Sequence, residues 1–181
     1  RGLREGNRCP QGADEERGTM NSRDRVLKSI ALEEPDRVPI TEMDIDIPLT
    51  ETITGEKFPA AISLQTQVIT DTSLEKKRVE LKHRCYRRIG FDMLPMDLSA
   101  PEDWKPETNP DGTMVDLWGR VLKLDEGTRA WVPYSTIFDK PEDFEEFEPP
   151  DPDAPGLMLG LEHAKKLVRG DMALAAFVRD P

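Results

Sequence analysis

Asn21-Ser-Arg-Asp-Arg-Val-Leu-Lys-Ser-Ile-Ala-Leu-Glu-Glu-Pro-Asp-Arg-Val-Pro-Ile40 carries a helix start, a helix stop and a strand in one short run. Ser22 is a good N-cap, and Asp24 puts negative charge in the first turn, where the helix dipole favours it. Val26, Leu27, Ile30 and Ala31 recur at helical spacing and predict one apolar face. Pro35 cannot continue a helix, so the predicted helix ends near Glu33. Val38-Pro39-Ile40-Thr41 is short and β-branched and reads as a strand, although Pro39 cannot donate to a ladder.

The same helix-to-strand rhythm recurs downstream. One or two short helices are expected within 48–70, punctuated by Pro48, Gly55 and Pro59. Ser73 caps a helix over 73–89 with Leu74, Leu81, Cys85 and Ile89 on one stripe, and Gly90 is a natural C′ residue. An apolar strand, Phe91-Asp-Met-Leu-Pro-Met96, follows at once. Val115, Leu117, Val121, Leu124, Trp131, Val132 and Tyr134 lie around Asp125-Glu-Gly127 as a β-hairpin or short meander. Residues 139–156 hold five prolines and eight acids against one lysine, which predicts a solvated connector with a brief helix near Pro141–Phe147. Leu157, Leu161, Ala164, Leu167 and Val168 form an amphipathic helix that Gly170 ends. Met172-Ala-Leu-Ala-Ala-Phe-Val178 then suits a parallel strand buried on both faces. Helices alternating with apolar strands predict an α/β fold.

The chain has 181 residues and a formal net charge of −11. Such acidity argues against nonspecific binding to nucleic acid or to an anionic membrane, both of which need a basic face. No apolar run approaches the roughly 20 residues of a membrane helix. Cys9 and Cys85 make neither a disulfide framework nor a zinc site, and a reducing, cytoplasmic setting fits them best. Residues 1–19 lack periodicity and an apolar core, and Met20 stands directly before the first helix. They read as a disordered leader and Met20 as the initiator.

Four segments resemble the uroporphyrinogen decarboxylase superfamily. They are Ser22–Ile40 with its Glu34-Pro-Asp-Arg-Val-Pro39 core, Ile89-Gly-Phe-Asp92, Asp116-Leu-Trp-Gly-Arg120, and the Pro/Asp-rich connector before the last helix and strand. The resemblance spans nearly all of 20–181. It implies a TIM (β/α)8 barrel with its active site at the carboxyl ends of the strands. A closed barrel takes roughly 250 residues, and about three strands of this chain could belong to one. The expected fold is therefore an incomplete barrel, its amino-terminal part only, with a β-hairpin insertion after the second strand.

The superfamily has two chemistries. Decarboxylases act on uroporphyrinogen without metal or organic cofactor and carry an Arg-rich segment after the first strand, where the planar guanidinium pairs with carboxylates. Here the matching position reads Thr41-Glu-Met-Asp-Ile-Asp46, three acids and no arginine. The cobalamin-dependent methyltransferase-like branch passes a methyl group between a corrinoid protein, or a small-molecule methyl carrier, and a thiol activated by zinc. Its zinc ligands, a His-x-Cys pair and a later Cys, belong to the second half of the barrel. The resemblance leans to this branch, so zinc is expected in the full-length parent and not in this chain. True uroporphyrinogen decarboxylation and a non-catalytic binding module stay open as alternatives.

Barrel geometry nominates Glu42 and Asp44, past the first strand, and Asp97, past the second, as residues that could orient a ligand or move a proton. The bland reading is that they cap loops. His83-Arg-Cys85 has the letters of a zinc pair, but on a helix side chains two apart diverge by about 200°. A surface His beside a buried Cys is expected. His163 takes no role, Trp118 and Arg120 belong to the hairpin with Trp118 expected to be a packing residue, and Lys76, Lys77, Arg78, Lys82 and Arg84 are expected to form a solvated outer face.

Overall fold

The computed structural model describes residues 20–63 and 69–177. The leader and Val178 lie outside the described residues. Among the described residues the fold is mixed α/β, with a parallel pair of strands, a second sheet that is mainly antiparallel, and no closed barrel.

Helix α1 (Ser22–Ile30) is capped by Asn21 rather than Ser22. The Asn21 side-chain oxygen accepts the Asp24 N–H at 2.8 Å. The helix stops before Pro35 can act. Glu33 N–H bonds Lys28 O at 2.9 Å and Leu32 N–H bonds Ser29 O at 3.2 Å, with Leu32 at φ 59°. That is a Schellman turn in which leucine occupies the position usually given to glycine. Only Val26 of the expected apolar face is buried; Leu27 and Ile30 are 44% and 73% exposed.

Residues 38–41 are not a strand. Asp92 N–H does reach Ile40 O at 2.8 Å. Ile40 N–H, however, goes to the Asp92 carboxylate at 2.9 Å, and Pro39 has no N–H to give. The segment still runs beside the next strand, with Thr41 Oγ1 donating to Met93 O at 3.0 Å.

Helix α2 (Ile47–Thr54) is followed by β1 (Ile62–Ser63). Helix α3 (Thr72–Ile89) begins one residue earlier than expected, because Asp71 and not Ser73 caps it. Asp71 accepts the Leu74 N–H at 2.7 Å. Gly90 closes α3 in the left-handed conformation expected of it. Strand β2 (Met93–Met96) follows. Then come β3 (Glu107–Thr108), β4 (Met114–Val115), β5 (Arg120–Asp125), β6 (Ala130–Thr136), α4 (Pro141–Glu145), α5 (Leu159–Val168) and β7 (Ala173–Ala176).

β2 and β7 pair in parallel, Met93 opposite Ala173 through Met96 opposite Ala176. Helix α5 therefore belongs to a β-to-β crossover. The hairpin β5–β6 sits inside that crossover, in a sheet of order β1-β6-β5-β4-β3. β7 is only half-buried, not enclosed on both faces. Arg169, not Gly170, is the left-handed C-cap of α5. Trp118 is 44% exposed, more open than expected of a packing residue.

The main core lies between α3, α5 and the parallel pair. Val79, Cys85, Tyr86, Leu94, Met96 and Ala164 are each at most 1% exposed. The predicted stripe on α3 holds for Leu81 and Cys85, whereas Ile89 is 39% exposed. Gly160 lets α5 approach this core closely, since a Cβ there would stand 2.8 Å from Glu75 Oε1 and 2.9 Å from Ser99 Oγ. The second sheet is tied to the rest through Arg129. Its guanidinium bonds Glu51 Oε1 at 2.8 Å and the Phe58 carbonyl.

Candidate functional site

Two charge clusters flank β2, one at each end. At the amino end stands Asp92, fully buried, immediately before the strand. Arg25 Nη1 donates to its Oδ1 at 2.5 Å. Arg37 donates to both oxygens, at 2.7 and 2.9 Å. Arg25 also grips Asp36 through Nε at 2.6 Å and Nη2 at 2.7 Å. Burial alone would raise the Asp92 carboxyl. The Ile40 N–H and the bonds from Arg37, Ser22 and Arg25 outweigh it and hold Asp92 below its ordinary value. Asp36 is held at about 2, chiefly by the Arg25 bond. Every acceptor here is met by a donor, so the cluster is a structural tie.

At the carboxyl end, Asp97 follows Met96 directly. Three charged α3 side chains, Glu75, Arg78 and Lys82, are turned away from solvent. Glu75 is 3% exposed and Lys82 9%. Arg78 forks onto Glu75 at 2.7 and 2.8 Å. Ser99 Oγ donates to Glu75 Oε1 at 2.9 Å and accepts the Gly160 N–H at 2.9 Å. Lys82 Nζ donates to Met43 O at 3.2 Å and lies 3.5 Å from Asp44 Oδ1. Tyr86 OH donates to Glu42 O at 2.9 Å.

Burial pushes the Lys82 ammonium down, Arg78 adds to that, and Asp44 and Asp97 oppose it; the net direction is downward. For Glu75, burial acts upward but the charge and hydrogen bonds of Arg78 prevail, so its carboxyl stays below the ordinary range. Burial raises the Tyr86 phenol.

Comparison with protein-family models finds no match, and comparisons with curated proteins and with solved structures find none either.

Asp44 stands 3.5 Å from the Lys82 ammonium, and Asp97 stands half-buried directly after β2. Glu42 stands apart. It is exposed, and its carboxylate accepts the neighbouring Met43 N–H at 2.8 Å, while its backbone carbonyl joins the group through Tyr86. Arg78 and Lys82 are not the solvated outer face expected of them. Lys82 faces inward because Glu75, Val79, Lys82 and Tyr86 fall at i, i+4, i+7 and i+11, one helical stripe, and Arg78 turns in to fork onto Glu75. That spacing was a usable signal. Two charges on it disguised a buried face.

His83 and Cys85 diverge, as helical geometry requires. Cys85 is in the core, its thiol raised by burial. His83 is half-buried and pushed down by burial and then by Arg87. His163 pairs with Glu80 at 2.9 Å. Among the described residues no three His, Cys, Asp or Glu side chains converge to hold a metal. Among them, too, no helix is long and apolar enough to cross a membrane. Two open concavities, of about 430 and 320 Å³, lie along α1 and around Arg25, Arg87 and Asp171, and Asp44, Lys82 and Asp97 line neither.

Proposed function

We propose that this chain forms the amino-terminal portion of a uroporphyrinogen decarboxylase-superfamily barrel enzyme, of the corrinoid-linked methyltransferase-like branch, and that it has no turnover alone. The observation that carries the reading is the ion cluster of Arg25, Asp36, Arg37 and Asp92. Those residues come from two of the segments that bear the resemblance. Their meeting gives the Glu-Pro-Asp-Arg wording a physical purpose at the amino end of a parallel strand, the end where barrels keep stability rather than chemistry.

Further support comes from the order of the elements. Residues 38–41, β2 and β7 lie side by side, with α3 and α5 packed on β2. At the opposite end Asp97 follows β2, Asp44 lies 3.5 Å from Lys82, and residues 41–46 contain no arginine. An acidic approach repels a polycarboxylate substrate, which disfavours decarboxylation of uroporphyrinogen. The zinc of the methyltransferase-like branch activates a thiol, and its ligands would come from the parent's later strands.

The coding sequence downstream of Pro181 tests the reading. A His-x-Cys and a later Cys at strand ends are expected. Their absence, with arginines lining the mouth instead, overturns the branch assignment. Purified chain is expected to transfer no methyl group from methylcobalamin to a thiol and to release no carbon dioxide from uroporphyrinogen. Robust turnover in either assay overturns the claim of inactivity.

A further inference from the structure

We propose that the aromatic cluster of Phe138, Phe144 and Phe147, seated on Gly119 and interleaved with acids, is a docking surface for a basic amphipathic segment of another protein. The surface belongs to the second sheet and its connector, and its use does not depend on the enzyme reading.

The cluster is built on a specific turn. Gly119 lies between β4 and β5 at φ 73°, a conformation that side chains rarely take. A Cβ there would stand 2.8 Å from Phe138 Cζ and 3.0 Å from Ile137 Cγ1. Ile137 N–H bonds Gly119 O at 2.9 Å, and Thr136 Oγ1 donates to the same oxygen at 3.1 Å. Phe138 then meets Phe144 and Phe147 edge to face, with ring centres 5.6 and 5.1 Å apart. Helix α4 has five residues, none of them buried, and so short a helix does not form by propensity alone. The rings hold it, together with the Asp143 carboxylate, which accepts the Asp139 and Lys140 N–H groups at 2.9 and 3.0 Å.

Anchoring the connector accounts for Phe138 and Phe147, which are half-buried. It leaves Phe144 67% exposed and Ile137 46% exposed on the same cluster. Scattered exposed apolar side chains are ordinary, whereas connected ones mark interaction sites.

Charge selects the partner. Asp139, Glu142, Glu145, Glu146 and Glu148 are exposed. Among the described residues no lysine or arginine pairs with any of them. Residues 139–156 hold eight acids and one cation, Lys140. An apolar centre inside a rim of one sign has the anatomy of an interface, and it favours a partner of the opposite sign. Arginine suits it twice, because its planar fork pairs with carboxylates and its face stacks on aromatic rings. A second copy of this chain, with net charge −11, would bring like charge against like.

Fluorescence anisotropy with labelled peptides and the 181-residue chain tests this. One peptide places arginines and leucines on opposite faces of a helix, a second replaces the arginines with glutamates, and a third replaces the leucines with serines. The arginine–leucine peptide is expected to bind, less tightly as salt rises. The other two are expected to bind at least about tenfold more weakly. Phe144→Ala, which removes no buried side chain, is expected to weaken binding about tenfold. The combined variant Glu142→Gln, Glu145→Gln, Glu146→Gln is expected to do the same. Glu107→Gln, Glu126→Gln, Glu162→Gln removes as many exposed charges elsewhere and is expected to leave binding unchanged. Equal losses in the two charge variants, equal affinity for the serine peptide, or wild-type affinity in Phe144→Ala overturns the proposal. Absence of binding overturns it too, as does a dimer of the chain that Phe144→Ala abolishes. If a variant does not fold, amide-shift mapping on the wild-type chain decides: shifts centred on 137–147 are expected, and shifts confined to other segments overturn the proposal.

Discussion

Arg25 on α1 and Asp92 at the head of β2 stand 67 positions apart in sequence and meet at 2.5 Å. The contact is buried on both sides, at 7% and 0% side-chain exposure. It fixes how the first helix sits against the parallel pair. Arg23 N–H adds a backbone bond to Asp171 O at 3.1 Å, so α1 is tied to the turn before β7 as well. The Arg-Asp pairing is a fold determinant.

Removing one member of a buried pair leaves an uncompensated charge. Asp92→Asn should therefore cost about 3–5 kcal/mol of stability, because Arg25 and Arg37 both lose the charge of the buried carboxylate they share. Arg25→Met combined with Asp92→Leu should recover part of that loss. Urea denaturation followed by circular dichroism measures both. A loss below about 1 kcal/mol for Asp92→Asn would mean that the cluster is solvated rather than buried.

Acid should loosen the junction between α2 and the second sheet. Glu51 is held at about 2 against an ordinary 4.5, first by Lys57, then by the Phe58 N–H and Arg129, with burial opposing them. Its folded-state value is depressed, so its stabilising contribution is complete above the unfolded value. It is lost as pH falls from about 4.5 toward 2. Glu51→Gln should flatten that part of the stability–pH curve and lower stability at pH 7. Denaturation midpoints at pH 7, 4 and 2.5 check the sign; equal slopes in both proteins would refute it.

The α/β rhythm was legible because it depends on coarse signals. Pro and Gly punctuation and the apolar run Met93–Met96 located β2, and the hairpin around Asp125-Glu-Gly127 formed where its turn residues placed it. Element ends were less legible. Ser22 and Ser73 are plausible caps, but Asn21 and Asp71 stand in the N-cap positions and accept the bonds. Residues 38–41 have strand propensity, yet the Asp92 side chain takes the Ile40 N–H that a ladder would need. The carboxyl-end cluster was half legible. Asp44 and Asp97 follow from their places after successive apolar segments. Their surroundings on α3 were harder to read, since the Glu75, Val79, Lys82 and Tyr86 spacing was present but its two charges disguised a buried face.

Gly160 should be the least substitutable glycine of the α3–α5 contact. An alanine Cβ would meet Glu75 Oε1 at 2.8 Å and Ser99 Oγ at 2.9 Å, with Met96 Cε at 3.3 Å. The methionine tip can move, but the other two atoms cannot give way cheaply. Glu75 is locked by the fork from Arg78, and Ser99 Oγ is the bridge between Glu75 and the Gly160 N–H. Forcing a methyl group into such a contact typically costs about 1–3 kcal/mol. Gly160→Ala should lose that much in urea denaturation, and Ser99→Ala in the same background should return part of it by clearing the nearest hydroxyl. Wild-type stability in Gly160→Ala would show that α5 does not approach α3 as closely as 2.8 Å requires.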